Sequence, residues 1–179
     1  MTGRARSEKP IEIGGVRLTH PDRVLYPEQG ITKRDLAAYY QAVARAMLPH
    51  VAGRPLSLVR CPSGEGGTCF YQKHFDGGLP EGVRGVTIAE KEAKGGTYAV
   101  VEDVRGLIGL VQIGALELHP WGATVDRLEK PDLLIFDLDP GPGVAWVQVV
   151  GAAIEMRHLL TRLELESFAK TTGGKGLHV

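Results

Sequence analysis

Asp137 and Asp139 stand two residues apart in Asp132-Leu-Leu-Ile-Phe-Asp-Leu-Asp-Pro-Gly-Pro-Gly143. On an extended backbone, side chains at i and i+2 share a face, so both carboxylates point one way and Leu138 the other. Carboxylates held this close repel unless a cation lies between them, and hard oxygen donors of this kind suit Mg²⁺ or Mn²⁺. The competing reading makes one Asp the cap of a following turn or helix and leaves the other exposed at a strand end. A second stretch, Lys170-Thr-Thr-Gly-Gly-Lys-Gly-Leu-His-Val179, closes the sequence. Gly173, Gly174 and Gly176 let backbone amides converge, Lys175 adds positive charge, and Thr171 and Thr172 supply hydroxyls, so the loop could cradle phosphate oxygens. It is not a Walker loop, because Gly-Lys is followed by Gly-Leu and not by Ser or Thr; a plain glycine-rich connection is the alternative. A metal-binding carboxylate pair on one strand and a phosphate loop after the next are the two halves of a nucleotidyl-transfer site.

Those residues need elements to hold them. The apolar run 133–136 reads as a buried strand, stopped by the Pro140/Gly141/Pro142/Gly143 cluster. Residues 144–163 read as a helix, with Val149, Ala153, Met156, Leu160 and Leu163 on one stripe, and 165–169 as a further strand. Residues 133–169 then make a β-α-β unit. Upstream, residues 1–10 read as a disordered polar tail. Ile11-Glu-Ile13 and Val16-Arg-Leu18 alternate around Gly14-Gly15, a hairpin signal, and 19–31 forms an ordered loop carrying Arg23. Thr32 with Asp35 resembles a capping box that opens a helix at Lys33 running to about Leu48. On it Leu36, Tyr39, Tyr40, Val43 and Met47 are spaced to face the core, and Pro49, Gly53 and Pro55 end it.

Leu56–Arg60 reads as a strand, and 70–73 as another. There Tyr71 beside Lys73 either stacks a base and holds a phosphate, or packs in the core beneath a snorkelling lysine. Residues 76–96 are glycine-rich and charged. Short strands are expected at 86–88 and 97–101. Asp103 caps a helix expected to reach about Leu116, leaving His119 where helix gives way to strand or loop; a lone histidine there is by default structural or exposed.

With 179 residues the chain is long enough for one domain with a real core, or for a piece of a larger one. Net charge is zero, so it names no partner. Its distribution says more, since residues 1–60 carry ten Lys/Arg against five Asp/Glu and residues 61–139 carry seven against thirteen. That asymmetry suits a phosphate-binding face beside a metal-binding one, or ordinary solvated surface. Cys61 and Cys69 match no zinc spacing; a disulfide closing the small loop between them competes with the simpler expectation of reduced thiols in a cytosolic chain. No apolar run approaches the ~20 residues of a membrane span and the amino terminus has no apolar core, so a soluble, cytoplasmic protein with no membrane partner is expected.

Six short motifs in order complete the reading: Leu18-Thr-His-Pro-Asp-Arg-Val-Leu-Tyr-Pro27, Gly30-Ile-Thr-Lys33, Ala52-Gly-Arg-Pro55, Leu116-Glu-Leu-His119, Phe136-Asp-Leu-Asp-Pro-Gly141 and Thr172-Gly-Gly-Lys-Gly-Leu-His178. From about residue 11 to Val179 the chain resembles the polymerase domain of bacterial DNA ligase D, of the archaeo-eukaryotic primase superfamily. The resemblance implies an α+β primase-polymerase fold with an RNA-recognition-like catalytic core. It implies transfer of nucleoside monophosphates from NTPs or dNTPs to a primer 3′-hydroxyl during non-homologous end joining, by a two-metal mechanism at the nucleoid. Asp137 and Asp139 would hold Mn²⁺ or Mg²⁺; Thr172, Gly173, Lys175, His178 and His119 would meet the triphosphate. Arg23 and Lys33 would recognise a 5′-phosphate at a DNA gap or end, and Tyr71 would stack at the templating end. Ku and the ligase module of ligase D would be companions.

The family has Ser in place of Thr172, which keeps the hydroxyl, and Lys in place of Arg23, which keeps charge and alters phosphate geometry. Family domains continue beyond the point reached at Val179, and a third metal-binding aspartate is expected in that continuation. Residues 11–179 are therefore expected to be the amino-terminal part of a primase-polymerase domain, with an unpaired strand neighbour and an exposed apolar edge at the end. Two rivals remain: a DNA-end-binding module without chemistry, and a metal-dependent phosphohydrolase whose first Asp is the nucleophile.

Overall fold

The computed structural model describes residues 9–89 and 95–179; most of the expected polar tail and part of the glycine-rich 76–96 stretch lie outside them. Two compact units divide the chain, Met1–Pro131 and Asp132–Val179.

The first unit starts with the hairpin of β1 (Ile11–Ile13) and β2 (Val16–Leu18), as expected from the Gly14-Gly15 turn. A second small pair, β3 (Val24–Tyr26) and β4 (Ile31–Thr32), falls inside the stretch read as loop. The capping box then forms. Thr32 Oγ1 accepts from the Asp35 amide at 3.3 Å, and the Thr32 amide donates to Asp35 Oδ2 at 2.9 Å. It opens α1 (Lys33–Val51), which ends about a turn later than expected, with Pro49 inside its last turn. Leu36 and Tyr40 are buried, but Tyr39 is 58% exposed, a correction to its expected core position. Adjacent helical residues lie about 100° apart, so the tyrosine pair cannot both face the core.

The main sheet is built on β5 (Leu56–Arg60), which pairs antiparallel with β6 (Phe70–Gln72), β8 (Gly96–Val101) and β9 (Ala115–Pro120); β7 (Val83–Ile88) adds to β8. Leu56 and Leu58 point to the core face, both fully buried, while Ser57 and Val59 alternate to the other. Between β8 and β9 lies α2 (Val104–Gln112), whose Asp103 cap accepts from the Arg105 and Gly106 amides at 2.8 and 3.2 Å. Leu107, Ile108, Leu110 and Val111 are fully buried, so this short helix is held by packing more than by propensity. It stops at Gln112 and not near Leu116, because Gly114 takes a φ of 76°, a left-handed C-terminal stop that only glycine enters freely. His119 consequently sits within β9, not at a helix end.

In the second unit the order is β10 (Asp137–Leu138), α3 (Trp146–Arg162), β11 (Lys170–Thr171) and β12 (Leu177–His178). β12 is the middle strand, antiparallel to both others, so β10 and β11 run parallel on either side of it with α3 as their crossover. The β-α-β expectation is corrected to a split version with β12 between its strands. The strand read at 165–169 is also displaced, to Lys170–Thr171. A third correction concerns 133–136. Leu133, Leu134 and Ile135 are 45%, 64% and 47% exposed and outside the regular strand, since an apolar run is buried only where a second layer covers it. Only Phe136 continues the ladder, exchanging both backbone hydrogen bonds with Val179 at 2.8 and 2.9 Å. On α3 the stripe reading holds at Val149 and Leu160, which are buried, and fails at Leu163, which is 61% exposed.

Candidate nucleotidyl-transfer and phosphate sites

Register sets the geometry of the carboxylates. Asp137 lies directly opposite His178, and Leu138 opposite Leu177, in the antiparallel β10–β12 pair. Directly opposed residues share a face, so Asp137 and His178 project together while Leu138 and Leu177 turn away, and Asp139 follows just beyond β10. His178 Nε2 stands 3.5 Å from Asp137 Oδ1. Lys175 reaches back over the turn, its Nζ 3.5 Å from Asp139 Oδ1 and donating to the Pro140 carbonyl at 3.1 Å. Each carboxylate therefore faces its own cationic or protonatable partner, and both carboxylates are about 60% exposed. Mutual repulsion is relieved by these two partners as it would be by a metal ion. The donor set fits a hard divalent cation that retains several waters, but among the described residues no group of three or more His, Cys, Asp or Glu side chains is placed to hold one.

Between β11 and β12 the loop is shaped by Thr172. Its Oγ1 donates to the Gly176 carbonyl at 3.2 Å and accepts from the Gly174 amide at 3.4 Å. The hydroxyl is thus spent on closing the turn that carries Gly173 and Lys175, and the whole loop is exposed apart from Gly176. Gly176 is a requirement the spacing alone did not reveal. A Cβ there would stand 3.3 Å from the Leu138 carbonyl, so its absence lets the loop lie close over the aspartate strand.

In the first unit, β5 gathers a second set. Val59 is paired with Tyr71 on one side and with Glu117 on the other, and Ser57 with His119. Tyr71 and His119 therefore share a face, their ring centroids 6.0 Å apart and edge-on. His119 Nε2 lies 2.9 Å from Glu117 Oε2, an ion pair when the ring is protonated. Tyr71 is 61% exposed and its neighbour Phe70 44%, so neither is the core aromatic that the plainer reading expected. Arg60 covers the Phe70 ring, its guanidinium 5.3 Å from the centroid, while donating to the Ile113 carbonyl and to Gln72 Oε1. Glu117 and Arg60 were not singled out by spacing; Glu117 lies two residues from His119, a period-2 signal that would have found it.

Arg23 and Lys33 come together as well. The Lys33 amide donates to the Arg23 carbonyl at 2.8 Å, just beyond the β3–β4 pair, which sets the two side chains in one neighbourhood. Arg23 Nη1 donates to the Pro62 carbonyl at 2.6 Å. Lys33 is 4% exposed, and its Nζ donates to the Thr19 carbonyl at 3.1 Å and to Gln112 Oε1 at 3.0 Å. Burial first, and the charge of Arg23 second, push its pKa down from the usual lysine value to about 8. Pro62 belongs to a loop closed by a disulfide between Cys61 and Cys69, which corrects the expectation of reduced thiols. The antiparallel β5–β6 pair brings the two ends of that loop side by side, within reach of a bridge. No helix of the described residues is long and apolar enough to cross a membrane.

A family model described as the LigD primase-polymerase domain matches residues 32–179. The multifunctional non-homologous end joining protein LigD of Mycolicibacterium smegmatis is 39% identical over 166 residues, 92% of this chain and 22% of that protein. The corresponding LigD of Pseudomonas aeruginosa is 36% identical over 167 residues, 92% of this chain and 20% of that protein. Among solved structures, the polymerase domain of Mycobacterium tuberculosis ligase D in complex with DNA superposes with a TM-score of 0.79 at 37% identity, over 90% of this chain and 58% of that one. The chain thus spans about a fifth of the length of the curated relatives it matches. The mixed α/β architecture, the order of motifs and these likenesses agree, and the chain belongs to the LigD primase-polymerase family.

Proposed function

We propose that this chain performs template-directed nucleotidyl transfer in non-homologous end joining, extending a primer 3′-hydroxyl at a gap or break with NTPs or dNTPs. The observation that carries the reading is the pairing of Asp137 with His178 across β10–β12 and of Asp139 with Lys175 beside it. Asp137 and Asp139 would hold Mn²⁺ or Mg²⁺, which when bound acidifies the attacking hydroxyl and neutralises charge on the phosphates in an in-line displacement. Lys175 and His178 share the carboxylate oxygens a cation would take. With a cation there, the Lys175 ammonium and the His178 imidazole would be placed to meet triphosphate oxygens. Gly173 and the amides of the Thr172-shaped turn offer donors to the same oxygens; in the first unit, His119 is by itself a candidate phosphate contact. Tyr71, exposed and flanked by His119, offers a ring on which a templating base stacks. Ku and the ligase module join the same proposal as companions at the break.

A second reading has its own observation. Burial first and the charge of Arg23 second depress the Lys33 pKa, and two cations in one neighbourhood favour an anion such as a DNA 5′-phosphate there even if no chemistry follows. Primer extension on a gapped duplex bearing a 5′-phosphate separates the two. Incorporation lost in Asp139→Ala supports the polymerase; phosphate-dependent binding without incorporation supports the end-binding module. NTP hydrolysis without primer would mark the phosphohydrolase instead.

A further inference from the structure

We propose that Gln112, at the carboxyl end of α2, is the positioning residue of the Arg23/Lys33 pocket, its carboxamide holding the Lys33 ammonium in place to receive a 5′-phosphate. The inference rests on reading that pocket as a phosphate site. Lys33 is buried, and its two acceptors, the Thr19 carbonyl and Gln112 Oε1, are both neutral. A buried ammonium is ordinarily paired with a carboxylate, which would satisfy it and close it to other anions. No carboxylate is among the acceptors of the Lys33 ammonium; Asp35, two residues along α1, accepts from the Thr32 cap instead. The charged group that faces Lys33 is another cation, Arg23. An ammonium has three N–H donors, and the two neutral acceptors leave one for an incoming oxygen.

Gln112 is the side chain that makes this arrangement specific. Its Oε1 accepts from Lys33 Nζ at 3.0 Å and from the Thr19 amide at 2.9 Å, while its Nε2 donates to Thr19 Oγ1 at 2.7 Å. Turning the carboxamide over would set its NH₂ against both the ammonium and the Thr19 amide, so the orientation is decided by the network itself. The contacts reach 79 and 93 residues along the chain, tying α2 to the start of α1 and to the loop after β2. Neutrality is the essential property. A carboxylate of the same length could keep acceptors for Lys33 and the Thr19 amide but would neutralise the ammonium and repel phosphate.

The test compares affinity for a gapped duplex with and without its 5′-phosphate, from pH 6.5 to 9.5, for the full chain, Gln112→Glu and Gln112→Met. Thermal unfolding of each checks that it is folded. The expected result for the unsubstituted chain is a preference for the phosphorylated duplex that declines as pH rises through about 8. In Gln112→Glu the preference falls on the order of tenfold and its decline moves to higher pH, because the carboxylate keeps Lys33 protonated while competing with the phosphate. In Gln112→Met, which keeps the bulk and removes the hydrogen bonds, the preference weakens several-fold and the decline moves to lower pH. Affinity for the unphosphorylated duplex stays unchanged in both. If the unsubstituted chain shows a phosphate preference that neither substitution alters in size or pH dependence, the positioning role of Gln112 is overturned and the pocket stands. If the unsubstituted chain shows no phosphate preference at all, the pocket reading fails and the inference with it.

Discussion

Asp137 and His178 face one another directly across the β10–β12 pair, with His178 Nε2 3.5 Å from Asp137 Oδ1. The strand register brings residues 41 positions apart into one charge-balanced face, beside the matching contact of Lys175 with Asp139. Because both carboxylates are about 60% exposed, these pairs add little to stability.

From that exposure follows a separation of function from stability. Asp139→Asn should leave the thermal midpoint nearly unchanged, within about 0.5 kcal/mol, as surface substitutions usually do. The same change should weaken Mn²⁺ binding, followed by electron paramagnetic resonance of the free ion, by on the order of tenfold or more, since an amide replaces an anionic oxygen ligand. Loss of folding together with binding would contradict the assignment.

Lys33 gives a pH dependence of two opposite signs. Its folded pKa of about 8 lies below the ordinary lysine value near 10.5, so between those pH values the unfolded chain binds more protons than the folded one. Stability from this group therefore rises as pH climbs from about 8 toward 10.5, being the cost of burying the charge that is relieved. Urea midpoints measured across that window should rise for the unsubstituted chain relative to Lys33→Met, which lacks the titrating group. Phosphate recognition at the same group runs the other way and is lost.

Tyr71 is 61% exposed and touches the edge of the His119 ring. Tyr71→Ala should cost about 1–3 kcal/mol of affinity for a duplex with a templating overhang, the range for one stacked base, and Tyr71→Phe much less. Fluorescence anisotropy with overhang and blunt duplexes reads the difference. An equal loss on both would remove Tyr71 from the templating end.

Gly114 is the hinge of the α2–β9 connection. With φ at 76° and a prospective Cβ 2.9 Å from Pro62 Cα, Gly114→Ala has neither the conformation nor the room. It should destabilise the chain by about 1–3 kcal/mol, measured by chemical denaturation, and should disturb Gln112 and His119 on either side of the turn.

Local signals were legible before the structure. The Thr32/Asp35 box and the Gly14-Gly15 hairpin each depend on residues a few positions apart, where covalent geometry decides the outcome. What depended on distant chain was not. Gln112 joins Lys33 across 79 residues and Tyr71 meets His119 through β5, pairings that no local periodicity encodes. The run at 133–136 shows the converse failure: its apolar character is real, but its exposure is set by which layers surround it. Gly114 could have been read as a helix stop, and the longer apolar pattern through Leu116 masked it.

The most direct test of the central claim is single-nucleotide incorporation on a short gapped duplex bearing a 5′-phosphate, with Mn²⁺ or Mg²⁺ and NTPs or dNTPs, beside Asp139→Ala. The account predicts weak incorporation, stronger with Mn²⁺ than with Mg²⁺ because two carboxylates hold the ion, and abolished by the substitution. Binding of the same duplex with no incorporation under any of these conditions, or incorporation that survives Asp139→Ala, would contradict it.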